Sequence, residues 1–300
     1  MAKAEVDEIE IEFDTFGDRR SPALVLVMGL GAQMISWPES VCSKFANDGF
    51  FVVRFDNRDC GLSTKFDSYG IPNIFAGLAG DRSSAPYSLV DMANDTVGLM
   101  DFLRIEAAHI VGVSMGGMIA QQAVIDHPGR FLSLCSIMAS TGAKNVGQPS
   151  SEVVAALLQP GGDDRESSIQ QALEMARVIS SEKYFDAEIE LEHITRSYNR
   201  NYCPDGVVRQ LMAILVSPDR SEALRKVAVP TLVIHGLADK LVDPSGGYAT
   251  ASAIPGAKLL TFEGMAHELP MVLWGEVGDA ILENIARANR INWQPNQGRE

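Results

Sequence analysis

"HIVGVSMGGMIAQQAV", residues 109 to 124, runs from a β-branched apolar segment into a segment with helical character. Ser114 therefore lies between two glycines at the point where a strand gives way to a helix. A residue on so tight a turn takes a strained backbone conformation, and side chains two positions before and after it would collide. Gly112 and Gly116 remove that collision. The pattern predicts a Ser114 hydroxyl that stands clear of the sheet, beside the positive end of the helix that starts at Met115.

Buried strands and helices take turns along most of the chain. Residues 9 to 13 alternate as a half-exposed strand does, and continuously apolar segments typical of strands buried on both faces occur at 23 to 29, 50 to 56, 108 to 114, 132 to 139, 231 to 236 and 258 to 264. Helical patterns cover 88 to 105, 115 to 127 and 269 to 290. This alternation predicts an α/β fold with a mostly parallel sheet and helices on both faces. Ligand chemistry is then expected at the carboxyl ends of the strands.

One region breaks this alternation. From about 140 to 228 no buried strand is predicted, and the helical stretches lie at about 151 to 158, 165 to 180, 186 to 201 and 205 to 216. We expect residues 140–228 to form a helical insertion, a cap or lid. It would interrupt a core made of residues 1–139 and 229–300.

The composition is that of an ordinary globular protein with an acidic balance. The chain has 300 residues, of which 46% are hydrophobic and 21% charged, enough for one large core or two modest ones. Its formal charge of −14 opposes non-specific attraction to nucleic acid or to anionic lipid, because both are negative. We therefore expect a small, uncharged substrate as the partner, and neither nucleic acid nor a membrane.

The cysteines and the N-terminus indicate a cytoplasmic protein. Its four cysteines are scattered, without a C-x-x-C pair or histidines at metal-ligand spacing, so neither a metal site nor a disulfide is expected. The opening residues, MAKAEVDEIEIEF, are acidic where a signal peptide needs an apolar run. No segment approaches the roughly 20 apolar residues of a membrane span.

A serine hydroxyl becomes a nucleophile only when a base removes its proton, so a histidine must reach Ser114. His267, in FEGMAHELP, directly follows the last apparent strand, whereas His235 ends a strand in VIHG and is the competing candidate. The chain order of serine, acid and histidine in hydrolases favours His267. The remaining histidines have structural interpretations at a strand start, at a helix end and on a solvated acidic helix: His109, His127 and His193.

The acid that orients the base is expected between Ser114 and His267, at a strand end. VIHGLADKLVDP offers Asp239, three residues past Gly236, and Asp243, which precedes Pro244 and is typical of a turn. Asp239 is the preferred candidate. Glu268, next to the histidine in sequence, is the weaker alternative.

The oxyanion of an acyl-transfer reaction needs backbone N–H donors. One is expected from Met115, which follows the nucleophile, and the other from the loop after the strand LVLVMG, where MGLGAQMISW supplies glycines for close backbone approach. Leu30, after Gly29, is the second candidate donor.

The chain resembles the α/β-hydrolase superfamily over nearly its whole length. It is most similar to the branch that holds aclacinomycin methylesterase and related cofactor-free serine esterases. Five segments carry the resemblance in the expected order: LVLVMGLGAQMISWPE, VVRFDNRDCGLST, HIVGVSMGGMIAQ, VPTLVIHGLADKLVDP and IPGAKLLTFEGMAHELP. The resemblance implies Ser114 as nucleophile, Asp239 as acid, His267 as base, an oxyanion hole from Leu30 and Met115, and no cofactor.

Other parts of the chain differ from the superfamily or carry no chemistry in it. Many members have His-Gly where this chain has Met28-Gly29, a difference that the methylesterase branch tolerates. In DNRDCGLS we expect Arg58, Gly61 and Ser63 to shape structure near the site. Five methionines and one tryptophan suit either a pocket wall or the core: Met28, Met34, Met115, Met212, Met265 and Trp37. Four side chains of the insertion suit either a substrate's polar end or a solvated helix face: Arg196, Tyr198, Arg200 and Tyr202.

Three functions are compatible with this pattern. The first is a serine carboxylesterase for uncharged esters, such as methyl esters of a small or polyketide-like molecule, acting through an acyl-enzyme. The second uses the same triad to cleave carbon–carbon bonds of keto acids or to form peracids, as cofactor-free haloperoxidases do. The third is a receptor that keeps the fold for recognition without turnover. An intact serine, acid and base in order favours an enzyme.

Overall fold

One mixed sheet runs through the protein. The computed structural model describes residues 1–157, 159 and 162–292. In these ranges the strands are β1 Ala2–Val6, β2 Ile9–Phe16, β3 Ala23–Val27, β4 Phe51–Phe55, β5 Ala108–Val113, β6 Phe131–Ile137, β7 Thr231–Gly236 and β8 Lys258–Phe262. Their order in the sheet is β1-β2-β4-β3-β5-β6-β7-β8. The six strands from β3 to β8 are parallel, and β1 and β2 add an antiparallel edge.

Helices lie between the strands and in one long insertion. They are α1 Glu39–Asn47, α2 Ile74–Leu78, α3 Leu89–Phe102, α4 Met115–Asp126, α5 Ser151–Leu157, α6 Arg165–Ile179, α7 Ala187–Arg200, α8 Pro204–Val216, α9 Ser221–Leu224, α10 Ser245–Ala253 and α11 Trp274–Asn292. Over the ranges described, none of them is both long and apolar enough to cross a bilayer.

Two apolar layers hold the helices against the sheet. On one face, α3 and α4 pack on the strands through buried side chains that include Leu89, Met92 and Ile119. On the other face, α1 and α11 contribute Phe45 and Trp274 among others. The middle strands are apolar at nearly every position because both of their faces are covered, as in the fully buried ALVLV of β3. The predicted α/β fold with a mostly parallel, doubly covered sheet is confirmed.

The predicted strands are all present, with ends that differ by at most three residues. The helical patterns at 88 to 105, 115 to 127 and 269 to 290 correspond to α3, α4 and α11. Strand β1 and helices α1, α2, α9 and α10 were not predicted from the sequence. Strand β1 has only two buried residues, Ala4 and Val6, so its apolar signal is too short to stand out from an acidic N-terminus.

Between β6 and β7 the chain leaves the sheet and forms helices α5 to α9, which together make up the helical insertion. Four of its helices, α5 to α8, match the predicted helical stretches, although residue 158 of the first stretch lies outside the described residues. Local signals start these helices: Asp164 caps α6 through Ser167 N–H, Asp186 caps α7, and Pro204 occupies the first turn of α8. The described part of the insertion contains no strand.

Candidate active site

Ser114 occupies the turn between β5 and α4. Its φ of 56° is left-handed, a region that serine rarely adopts. Two backbone hydrogen bonds fix the turn, because Ser114 N–H donates to Ile137 O at 2.9 Å and Gly117 N–H donates to Ser114 O at 2.9 Å. A Cβ added to Gly116 would lie 2.2 Å from Val27 O. The glycines flanking the serine are therefore required by close backbone packing, as the sequence predicts.

Replacing Gly112 with alanine is expected to lower the free energy of unfolding by about 3 kcal/mol, because this backbone has no room for a side chain. The added Cβ would lie 2.0 Å from Gly116 O. Urea unfolding followed by circular dichroism measures the change. The matched control is Gly129→Ala, where no atom lies within 4 Å of the added Cβ. Equal losses at the two positions would contradict the packing argument.

His267 lies between the serine and a buried carboxylate. Its Nε2 is 2.9 Å from Ser114 Oγ, and its Nδ1 is 2.8 Å from Asp239 Oδ2. A carboxylate accepts hydrogen bonds only, so Nδ1 carries the proton and the Nε2 lone pair faces the serine hydroxyl. The imidazole side chain is 7% exposed, so few water molecules compete for it. The loop after β8 thus brings the preferred histidine to the serine.

Asp239 follows β7 and has no exposed side-chain surface. Its Oδ1 accepts hydrogen bonds from Leu241 N–H and Val242 N–H, both at 2.9 Å. Burial by itself raises the pKa of Asp239, but the charge of His267 and the hydrogen bonds from His235, His267 and Val242 N–H outweigh burial and lower the pKa to about 2. The group is therefore a carboxylate at neutral pH.

The competing candidates have other partners. His235 is buried, and its Nε2–H donates to Val242 O at 2.8 Å, with Asp239 Oδ2 at 3.5 Å. Asp243 Oδ1 accepts from Ser245 N–H at 2.9 Å at the start of α10, which fits the turn interpretation. Among the candidates, the structure brings His267 to Ser114 and Asp239 to His267.

Glu268 and the other histidines also have other hydrogen-bond partners. Glu268 accepts from Ser181 N–H and Ser181 Oγ, both at 2.7 Å, and so joins the histidine loop to the helical insertion. Outside the site, the rings of His109, His127 and His193 contact Ser133, Asn94 and Ser36. His193, expected on a solvated face, is half-buried, and burial lowers its pKa.

The candidate oxyanion donors belong to two segments that adjoin the serine. Met115 follows Ser114 at the first position of α4, and Gly29 packs so closely that an added Cβ would be 3.1 Å from Ser114 Cβ. Leu30 is the next residue of that loop. Across the ranges that the structure describes, neither the Leu30 N–H nor the Met115 N–H donates to a protein acceptor. Both donors are thus available for an anionic oxygen.

The segment DNRDCGLS has structural contacts, as expected. Arg58 forms a two-point ion pair with Asp95, with both N–O distances 2.6 Å. Gly61 lies against the carboxylate of Asp56, where an added Cβ would be 2.1 Å from Oδ2. Ser63 Oγ donates to the Asp56 carbonyl at 2.6 Å. These contacts fix the loop after β4.

Polar contacts between the insertion and the loop after β3 were missed by the sequence analysis. Arg200 Nη1 lies 2.7 Å from both Gln33 Oε1 and Asp56 Oδ2. Gln33 Nε2 donates to Ser197 O and Asn201 O at 2.7 and 2.8 Å, at the end of α7. The one available signal was Asp56, a carboxylate directly after β4, where ligand chemistry is expected.

The methionines and the tryptophan that suited either a pocket or the core are buried, with exposures of 0 to 7% for Met28, Met34, Met115, Met212, Met265 and Trp37. Trp37 stacks edge-on with Trp274, with ring centroids 5.9 Å apart. Gly77 of α2 lies against Met212, whose Sδ would be 2.6 Å from an added Cβ. These contacts favour the core interpretation.

One group of possible metal ligands occurs among the described residues: Asp59, Asp67 and Cys203. Arg209 already lies against its carboxylates, with Nη2 2.8 Å from Asp59 Oδ1 and 2.9 Å from Asp67 Oδ1. Tyr87 OH donates to Asp59 Oδ2 at 2.7 Å. A guanidinium thus takes the place where a cation would bind, and the group anchors α8 to the core.

Comparison with known proteins agrees with this architecture. Rhodomycin D methylesterase DauP of Streptomyces sp. (strain C5) is 27% identical over 297 residues, which cover 92% of this chain and 94% of that protein. The enol-lactonase of Burkholderia xenovorans LB400 has a TM-score of 0.71 at 22% identity, over 96% of this chain and 100% of that one. The 2-hydroxy-6-oxo-6-phenylhexa-2,4-dienoate hydrolase of Rhodococcus sp. strain RHA1 has a TM-score of 0.73 at 22% identity, over 95% of this chain and 97% of that one.

The two solved structures share the fold of this chain, and the sequence relative extends the likeness over nearly its full length. A family model described as the alpha/beta hydrolase fold matches residues 22–272. The chain therefore belongs to the alpha/beta hydrolase fold family and is an enzyme of that family.

Proposed function

We propose that the protein is a serine esterase that hydrolyses carboxylic esters through an acyl-enzyme on Ser114. One observation carries the proposal: an unbroken chain of hydrogen bonds leads from Asp239 through His267 to Ser114 Oγ, at 2.8 and 2.9 Å. A receptor without turnover has no need of this arrangement. The three side chains have the order and the roles of a serine hydrolase triad.

In the first half of the reaction, His267 Nε2 takes the hydroxyl proton as Ser114 Oγ bonds to the ester carbonyl carbon. The electron pair of the C=O bond moves onto oxygen, and the N–H groups of Leu30 and Met115 donate to that oxyanion. His267 then gives the proton to the leaving alkoxide as the ester C–O bond breaks. The alcohol departs, and Ser114 carries the acyl group.

In the second half, water replaces the alcohol. His267 takes a proton from water as the water oxygen bonds to the acyl carbon, and the same N–H donors bind the new oxyanion. The bond between the acyl carbon and Ser114 Oγ breaks, and His267 returns the proton to Ser114 Oγ. The carboxylic acid then leaves. Asp239 stays ionised throughout, because its pKa is about 2, and it stabilises the imidazolium in both halves.

We infer that the substrate is an uncharged ester and that methyl esters are the first class to test. The relative that covers 92% of the chain is named a rhodomycin D methylesterase, which supports a small alcohol and a bulky acid such as a polyketide-like one. The net charge of −14 disfavours anionic esters. We also infer that residues 140–228 act as a cap over a core of residues 1–139 and 229–300, of which 293–300 lie outside the described residues.

A p-nitrophenyl ester series and a fluorophosphonate test the proposal directly. We expect release of p-nitrophenol and a single phosphonyl adduct, which mass spectrometry maps to the peptide containing Ser114. The absence of both turnover and adduct in a folded sample would contradict the esterase proposal. Parallel assays test the two alternatives. Cleavage of a carbon–carbon bond in keto acids would indicate a C–C hydrolase, and peracid formation from acetate and hydrogen peroxide would indicate a perhydrolase.

A further inference from the structure

Separate hydrogen bonds hold three successive peptide groups of the loop that carries the candidate donor Leu30. Asn57 Nδ2 donates to Met28 O at 2.8 Å and so fixes the first group. Ala32 N–H donates to Gly29 O at 3.3 Å. The Gly29 carbonyl and the Leu30 N–H belong to the same planar peptide group and point in opposite directions. A hydrogen bond to that carbonyl therefore helps to aim the N–H.

The third peptide group, between Leu30 and Gly31, is held by a side chain of the helical insertion. Gly31 N–H donates to Gln210 Oε1 at 2.8 Å, and Gln210 Nε2 donates to Arg58 O at 2.7 Å. Gln210 lies on α8 of the helical insertion, 179 positions away in sequence, and is 0% exposed. Its amide thus joins the oxyanion loop to the loop after β4 through one acceptor and one donor.

This support matters because the loop has little stiffness of its own. Gly31 has a φ of +67°, and its lack of a side chain also gives space to Val207 of α8, whose Cγ2 would lie 2.9 Å from an added Cβ. Glycine adopts positive and negative φ about equally well, so the chain itself does not select this geometry. The hydrogen bond to Gln210 helps to select it.

We propose that Gln210 is a positioning residue for the oxyanion hole, acting through Gly31 on the adjacent Leu30 N–H. The proposal rests on the proposed esterase function. A glutamine suits this place because one neighbour is a donor and the other an acceptor, and its neutral amide satisfies both. The helical insertion thus contributes to transition-state stabilisation as well as covering the site.

Gln210→Met tests the proposal, since methionine keeps the length of the side chain and removes both hydrogen bonds. We expect kcat for a p-nitrophenyl ester to fall by about 10- to 100-fold, less than the loss of a whole oxyanion donor, with KM within about threefold of the wild-type value. Affinity for a trifluoromethyl ketone, which forms a tetrahedral oxyanion on the serine, should fall in step with kcat/KM. Affinity for the product acid should stay the same.

Two further variants keep the test decisive. Gln210→Glu restores an acceptor for Gly31 N–H and, when its carboxyl group is protonated, a donor to Arg58 O, so it should recover at least half of the logarithmic loss in kcat. Gln210→Asn keeps the amide but shortens its reach, and it should lose as much as Gln210→Met. Should Gln210→Met fail to fold, the Asn and Glu variants supply the same comparison.

The matched control is Ser217→Ala at the end of α8, whose Oγ accepts from Leu89 N–H at 3.2 Å and does not touch the oxyanion loop. Its kcat should remain within about twofold of the wild-type value. An unchanged kcat in Gln210→Met, or an equal loss in Ser217→Ala, would overturn the role of Gln210 and leave the esterase in place. No turnover by the wild-type chain would overturn the esterase and the role of Gln210 together.

Discussion

Replacing Ser114 with alanine is expected to lower kcat for a p-nitrophenyl ester by about 10⁴- to 10⁶-fold, because no other group can form the acyl-enzyme. His267 Nε2 lies 2.9 Å from Ser114 Oγ and would have no proton to take. Alanine keeps the Cβ and the backbone of the turn, so the free energy of unfolding should change by no more than about 1 kcal/mol. Steady-state kinetics and urea unfolding measure the two quantities.

The matched control for this variant is Ser133→Ala. Ser133 is also a buried serine with a hydroxyl bonded to a histidine, since its Oγ lies 2.8 Å from His109 Nδ1. It lies near the beginning of β6, away from the carboxyl edge of the sheet, and its variant should keep kcat within about twofold. If Ser114→Ala retained more than about one hundredth of the wild-type rate, another nucleophile would carry the reaction.

The meeting of Ser114, Asp239 and His267 could be predicted because each follows a parallel strand by a few residues. Parallel strands end at one edge of a sheet, so residues just after β5, β7 and β8 lie close together whatever the intervening chain does. The tight turn is also a local property, set by glycines two positions before and after the serine. The inferences from these short-range signals therefore agree with the geometry, although the catalytic roles remain predictions.

The contacts made by the helical insertion could not be predicted in this way. Arg200 lies on an acidic, amphipathic helix, a pattern typical of a solvated arginine, yet its side chain is 12% exposed and binds Asp56. Gln33 and Arg200 are 167 positions apart, and Gln210 is still farther from Gly31. Periodicity reports which face of a helix is polar and not what that face meets, so such pairs need a three-dimensional structure.

The insertion forms hydrogen bonds with two loops of the proposed site. Besides the Gln210 contact with the oxyanion loop, the end of α6 holds the histidine loop, because His267 N–H donates to Ile179 O at 3.0 Å. Ser181 extends this contact through its bonds to Glu268. Direct hydrogen bonds thus join the insertion to the histidine loop and to the loop that carries the candidate donor Leu30.

Replacing Asp239 with asparagine is expected to lower kcat by about 10⁴-fold with little change in structure. Oδ1 of residue 239 accepts from Leu241 N–H and Val242 N–H, and in the variant only the amide oxygen can keep those bonds. The NH₂ group then faces His267 Nδ1, which must become an acceptor. The imidazole proton therefore moves to Nε2, and that nitrogen can no longer take the proton of Ser114. Steady-state kinetics at about pH 8 measure the loss.

The control for this variant is Asp243→Asn, which changes a carboxylate four positions away that accepts from Ser245 N–H at the start of α10. Its kcat should stay within about twofold of the wild-type value. Retention of more than about one tenth of the rate in Asp239→Asn would contradict the tautomer argument and point to a different acid.

The pH dependence of the free energy of unfolding gives an independent test with the same variant. Because the pKa of Asp239 is lowered from 3.8 to about 2 in the folded protein, its carboxylate adds about 2 kcal/mol of stability, present above the unfolded pKa and lost as the pH falls through the folded one. The asparagine variant lacks this contribution at every pH. The difference in free energy of unfolding between wild type and variant should therefore shrink from about pH 5 to about pH 2. A difference that grows on acidification would mean that the folded protein holds Asp239 protonated, and a protonated acid could not orient His267 as the mechanism requires.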